Sequence, residues 1–443
     1  MTSDPSFTGL PSSHLKLGQR DLMSGQPKQR GLVRKLIDNS FLLIVGAVSA
    51  LVWANIHSPS YQAFVNFDLV SLFTATHAGG HDAAEHASSH GFTLHFFVND
   101  IVMALFFAIA AKEVWESLLP GGSLADPKKA ATPLLATVGG IMGPALVYIA
   151  GTYFTGTHDS LGKGWAIPCA TDIAFSYLIA RFIFGASHPA IAFLLLLAIA
   201  DDAAGLIILA VFYPQAEIRP EWLLLTVGAM LFTMQLRRSK VHSHWAYLIG
   251  PGVVSWFSFY QANIHPALGL VPIIPLLPHA HTDLGIFARE EQNRHDTLNE
   301  FEHAWKLPVE FGLGLFGLAN AGVVMSSLGT GTWVVLAGLL VGKPVGITLL
   351  TLFAEKGLKL EKPAGMDYRH VVTLGMVAGI GFTVALFVSV AAFTVPGLDQ
   401  DSVKMGALLS FAAAPIAVVL GRSLGLRPLQ SVASEEESLA KAA

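Results

Sequence analysis

Leu197-Ala-Ile-Ala-Asp-Asp-Ala-Ala-Gly205 lies inside an otherwise apolar run over 189–213. A run of that length spans about 30 Å of hydrocarbon when helical, which makes it a transmembrane segment. Its centre nevertheless carries two neighbouring carboxylates, Asp201 and Asp202. An ionised group at that depth costs several kcal/mol unless it is paired or hydrated, so such residues read as functional first. Adjacent side chains on a helix diverge by about 100° and cannot both address one atom. Two roles follow: one aspartate facing a water-filled cavity, the other facing a neighbouring helix.

Working outward, similar runs fill most of the chain. Hydropathy and loop signals predict about twelve spans: 40–57, 94–118, 131–154, 165–184, 189–213, 221–236, 243–260, 263–278, 307–326, 332–354, 370–394 and 403–421. The 443 residues are 53% hydrophobic and only 13% charged, with mean hydropathy +0.55. That charge is too sparse to cover a water-soluble surface, and a bilayer must cover it instead. The expected fold is all-α and polytopic, with a cytoplasmic tail at 1–39, one transporter domain at 40–421 and a second cytoplasmic tail at 422–443. With the N-terminus placed inside, only Lys163, Arg219 and Lys404 among the loop cations fall outside, as the positive-inside bias requires.

Two further groups share the membrane interior with the pair. Asp172 lies in the fourth span and Lys343 in the tenth. Three carboxylates against one lysine leave an excess of negative charge, which protons or a bound cation must neutralise. Lys343 is the expected partner for the aspartate facing a neighbouring helix. Pro344 removes a donor from the turn before it. Pro168 similarly interrupts the fourth span before Thr171-Asp172, freeing carbonyls and the Thr171 hydroxyl as oxygen ligands for a hard monovalent cation. Asp172 also suits the positive ends of half-helices meeting in the bilayer.

The fourth span holds Gly164, Pro168 and Gly185, and the eleventh holds Gly379-Ile-Gly-Phe-Thr383. Interrupted spans at matching places, in triplets three to five and ten to twelve that begin on opposite sides, predict inverted repeats with two broken helices. The lone cysteine, Cys169, excludes an internal disulfide framework and cysteine clusters. Net charge −4 offers no field for nucleic acid. No Gly-x-x-x-x-Gly-Lys-Ser/Thr is present for ATP. An intramembrane protease needs facing aspartates, which adjacent positions on one helix cannot supply. A Na⁺-coupled symporter of organic anions and a channel are the alternative transporters. The outer loop, with His77, His81, His86, His90 and His95, reads as a hydrophilic loop, a zinc site being the other reading.

Trp165-Ala-Ile-Pro-Cys-Ala-Thr-Asp-Ile-Ala-Phe175, Leu197 to Gly205, Leu318-Ala-Asn-Ala-Gly-Val323, Gly342-Lys-Pro-Val-Gly346 and Gly379 to Thr383 resemble, in order, the bacterial NhaA-type sodium/proton antiporter family. The resemblance covers about residues 40–421 and implies exchange of Na⁺ or Li⁺ for protons, two H⁺ per cation, in the bacterial inner membrane. It implies that Asp202 is the main cation ligand and proton carrier, with Asp201 its partner, Thr171 at the cation site and Asp172 at the helix crossing. Lys343 would pair with Asp201 in the proton-loaded state. Glu113, Glu302, His303 and His265 match positions associated with pH response or the cytoplasmic funnel. No cofactor is implied, and a homodimer is. After Glu113-Val114 the chain departs from the family pattern with Trp115-Glu116-Ser117, which alters the charge of that cluster. Asp100, near the start of the second span, is expected to cap its helix, lining an outer access path being the other reading.

Overall fold

The computed structural model describes residues 41–70, 92–279 and 296–428. Four histidines of the outer loop, His77, His81, His86 and His90, lie outside the described residues, as do most of both expected tails. All regular structure among the described residues is helical. We number the main helices α1 (Phe41–Ile56), α2 (Leu94–Leu118), α3 (Pro127–Phe154), α4 (His158–Cys169), α5 (Ile173–Phe184), α6 (Pro189–Phe212), α7 (Leu223–Arg238), α8 (244–261), α9 (Thr297–Asn320), α10 (Thr330–Lys356), α11 (Tyr368–Ala378), α12 (Phe382–Ala392) and α13 (Leu398–Ser423).

Five of these (α2, α3, α6, α10 and α13) are long and apolar enough to cross a membrane. The pairs α4–α5 and α11–α12 bend by 53° and 50° at short breaks, and counting each as one crossing gives seven. Length and composition of the helices therefore support five to seven crossings by themselves, fewer than the twelve expected. Two sequence-predicted spans differ in kind. The stretch 263–278 forms only short 3₁₀ turns, Pro266–Leu268 and Ile274–Leu276, because four prolines in 266–278 deny it donors. The ninth span begins ten residues early, at Thr297, where Asp296 accepts a hydrogen bond from the Asn299 N–H as N-cap. Outward-facing Leu146, Phe154, Ile207, Leu224 and Val419 are each more than half exposed, the surface a bilayer covers.

Glycines set how closely the helices approach. A Cβ on Gly139 or Gly143 of α3 would stand 2.2 Å from the carbonyl oxygen of Gly346 or Gly342 on α10. On α1, a Cβ on Gly46 would meet the Gly314 carbonyl of α9 at 2.0 Å. Lipid offers no hydrophobic drive between helices, so backbone contact through small residues supplies the dispersion energy that joins them. The α3–α10 contact matters for function because it brings Lys343 against α4.

Two apolar clusters flank the breaks. One gathers Cys169, Phe175, Leu209, Phe382 and Phe387; the other gathers Ala180, Leu194, Leu197, Ile347 and Val377. Asp201 and Asp202 lie on α6 between Leu197 and Leu209, at the seam of the two.

Candidate cation site at the crossed helix breaks

The two breaks meet. The backbone N–H of Asp172 donates to the Ile380 carbonyl at 2.7 Å, and a Cβ on Gly381 would lie 2.9 Å from the Ala170 carbonyl. Gly381 is needed for that approach and Gly379 for the one beside it, where a Cβ would lie 2.6 Å from the Leu339 carbonyl of α10, which is why the eleventh span carries a glycine-rich interruption.

Four helix ends then face one another inside the protein, and each finds a partner. Asp172 sits as N-cap of α5, its Oδ1 accepting from the Phe175 N–H at 3.4 Å. Its Oδ2 accepts from the Thr383 N–H at 3.3 Å and from the Thr383 hydroxyl, at the start of α12. One carboxylate thus serves the positive N-terminal ends of two half-helices. The C-terminal end of α4 presents the Cys169 carbonyl, which accepts from Lys343 Nζ. The C-terminal end of α11 presents the Ala378 carbonyl, 3.2 Å from the Thr171 hydroxyl oxygen. Negative groups meet N-termini and donors meet C-termini, as the helix dipole favours.

Lys343, with no exposed surface, also donates to Asp201 Oδ2 at 2.8 Å. The Thr171 hydroxyl, whose one proton is shared between the Ala378 carbonyl and this oxygen, stands closer to the latter, at 2.7 Å. Asp201 Oδ1 is different: it is buried and has no hydrogen-bond partner among the described residues. Asp201 also lines, with Asp202, Phe107, Leu209 and Val384, a cavity of about 20 Å³, enough room for one water or a bare ion. The carboxylate of Asp202, half-buried, makes no hydrogen bond or ion pair among the described residues. The structure therefore separates the neighbouring aspartates as their helical spacing requires, Asp201 reaching Lys343 and Asp202 standing free at the cavity.

Of the other sequence-predicted residues, Glu302 lies at the far end of α2 from Asp100, within 2.6 Å of Lys112 Nζ. Lys112, buried, bridges Glu302 and Glu116 at 2.6 Å each. Glu116, one of the three residues where the chain departs from the family pattern, thus belongs to the cluster through a lysine the sequence reading did not select. Neighbouring Glu113 is half-buried and His303 is exposed. His265 is not with them: its Nδ1 stands 3.7 Å from Asp100 and its ring packs on Phe387, at the opposite end of α2. Asp100 does not cap its helix. Thr93 does, accepting from the Phe96 N–H, while Asp100 lies in a π-turn, Phe97–Val102. Nor is Lys343 the only buried cation, since Lys112 and Lys404 are 4% and 8% exposed. Thr383 and the Cys169 carbonyl were missed as site groups; the interrupted Gly379 to Thr383 segment is the signal that points to the first.

Broken helices crossing at mid-protein, with charges balancing their ends and two carboxylates at an ion-sized cavity, define a secondary transporter of small cations. Residues 31–421 match the model of the family described as Na+/H+ antiporter 1, and the chain belongs to that family. It is 52% identical over 405 residues to the Na(+)/H(+) antiporter NhaA of Jannaschia sp. (strain CCS1), covering 86% of this chain and 95% of the relative. It is 48% identical to the NhaA of Geotalea uraniireducens (strain Rf4), over 89% and 97%. The NhaA of Desulfitobacterium hafniense (strain DSM 10664 / DCB-2) is 47% identical, over 91% and 98%.

Proposed function

We propose that this chain exchanges Na⁺ or Li⁺ for protons, as a transporter and not an enzyme, with Asp202 the titrating cation ligand. The observation that carries this reading is the pairing of an orphan oxygen, Asp201 Oδ1, with the unpartnered Asp202 carboxylate at one ion-sized cavity. The charge balance works as follows. Asp172 is committed to two helix N-termini, and Lys343 neutralises Asp201. Asp202 then leaves one negative charge, which either a proton or a monovalent cation cancels. Proton and cation compete for the same oxygens, and that competition is what couples their movement.

A cation held between Asp202 and Asp201 Oδ1 also draws on the charge of Asp201. Our reading takes two protons to leave for each cation that binds, as the family resemblance implies. Thr171 contributes by fixing Asp201 through its hydroxyl, and its oxygen is one residue from the cavity wall at Ala170. Our reading further assigns twelve crossings with inverted repeats at spans three to five and ten to twelve, and the span 40–421 as one transporter domain. Both termini are cytoplasmic, the membrane is the bacterial inner membrane, and the protein forms a homodimer. Glu113, Glu302 and His303 lie on the cytoplasmic side, where they tune the pH response. No cofactor takes part beyond the transported ions.

The test uses proteoliposomes carrying a pH gradient. NaCl, LiCl and KCl are added in turn between pH 6.5 and 9 while an internal dye follows pH. Proton movement on Na⁺ or Li⁺ addition, abolished in Asp202→Asn, is expected. Absence of proton movement at every pH would exclude exchange.

A further inference from the structure

A second and much larger cavity, about 800 Å³, opens at the Asp100 end of α2. We propose that it binds organic ammonium cations, which block the transporter from that side. Its walls include Phe92, Phe96, Trp256, Tyr260 and Asp100, and among the described residues no lysine, arginine or histidine. Asp100 is therefore the only charged group among the described residues that line it.

The aromatic side chains form a connected wall. Trp256 and Tyr260 stack at 5.9 Å with their planes 8° apart, and Phe96 meets both edge-on at 6.3 and 6.0 Å. The Trp256 Nε1–H donates to the Asp100 carbonyl oxygen at 2.8 Å, which fixes the indole beside the acid. Among the described residues the Asp100 carboxylate has no closer polar neighbour than His265 Nδ1 at 3.7 Å. That nitrogen already faces the Ala267 N–H at 3.4 Å, so it stands as an acceptor and supplies no proton to the acid.

A carboxylate framed by aromatic faces in a cavity of several hundred Å³ matches an organic cation. The rings attract positive charge through their quadrupoles, and the volume is that of a drug-sized ligand. A bare sodium ion needs several oxygen ligands at close range and has no use for such walls. The position has a consequence for transport. From Asp100, a continuous line of packed groups runs through His265 to Phe387 at 4.7 Å and on to Phe107 at 4.9 Å, and Phe107 lines the small Asp201–Asp202 cavity. That line leaves no open path in this structure, so a cation lodged at Asp100 blocks by holding these groups packed and this side of the pocket closed.

The experiment measures binding of benzyltrimethylammonium to the purified full chain by calorimetry, with neopentylbenzene as its neutral isostere. Saturable binding of the ammonium only is expected. Asp100→Asn and Trp256→Leu each weaken it about tenfold, within the range of one cation–π or charge contact, while Asp202→Asn leaves it unchanged. In vesicles of known orientation the probe inhibits cation flux only from the face opposite Glu302. Equal binding of the neutral isostere, unchanged affinity in both vestibule variants, or loss of binding in Asp202→Asn would each overturn the assignment. Binding is read without transport, so a failure of the exchange reading leaves this test intact.

Discussion

Lys343→Met is the substitution whose cost the structure states most directly. The ammonium is fully buried, bonded to Asp201 Oδ2 at 2.8 Å and to the Cys169 carbonyl. Methionine replaces the aliphatic stem with little change of volume, so the loss is electrostatic. Asp201 is left as a buried carboxylate with only the Thr171 hydroxyl, and the end of α4 loses its donor. Breaking one side of a buried pair costs about 3–5 kcal/mol, and the stranded carbonyl adds about 1 kcal/mol. For a protein of this size that corresponds to roughly 5–10 °C in Tm. Removing both charges should cost much less than the sum, because no uncompensated ion remains. The double variant Lys343→Met with Asp201→Asn is therefore expected to recover about 2 kcal/mol or more of the single-variant loss. Thermal unfolding of the four proteins in detergent, read by intrinsic fluorescence, completes the cycle. Strict additivity of the two single losses would refute the idea that Lys343 is held by Asp201.

Other perturbations follow from the same geometry. Gly346→Ala puts a methyl 2.0 Å from the Gly139 carbonyl oxygen, so α3 and α10 must separate; a loss of about 1–3 kcal/mol is expected by thermal unfolding, and Gly205→Ala, with open space around it, should be neutral by comparison. Thr383→Val removes the hydroxyl that Asp172 accepts from but keeps the N–H, and should cost about 1.5–3 kcal/mol as a lost hydrogen bond to a charged group, whereas Thr383→Ser should retain it. His188 precedes α6 and is buried against Phe184 and His370, the two imidazoles stacked at 4.7 Å. Burial, then the neighbouring His370, holds its pKa below the ordinary histidine value. The folded protein thus binds fewer protons there than the unfolded chain, so stability falls as pH drops below about 6.5 and is unaffected above it. His188→Asn keeps the acceptor that caps Ala190 and removes the titration, so its Tm should vary less between pH 5 and 7; an unchanged pH slope would count against His188 as the group responsible.

Much of this protein was legible before any tertiary contact was known. Apolar runs of crossing length and the scarcity of charge dictate a helical membrane protein, because backbone polar groups in lipid must be satisfied within helices. Asp172, Asp201, Asp202 and Lys343 stand out for a related reason: at that depth a charge without a partner is too costly to be incidental. The divergence of Asp201 from Asp202 follows from helical spacing alone. What the linear order could not decide was which oxygen is satisfied and which is left over. That depended on α3 and α10 meeting through glycines, which carries Lys343 to one oxygen of Asp201, and on two breaks 200 residues apart in sequence crossing so that Asp172 serves both. The 263–278 stretch was misjudged because hydropathy records burial and not hydrogen-bond donors, and its prolines removed the donors. His265 and Glu302 are likewise grouped by kind in the sequence yet lie at opposite ends of α2. Composition and periodicity are local properties and determine where the chain is buried. The partner of a buried charge is set by the distance between separate helices, and only their packing decides it.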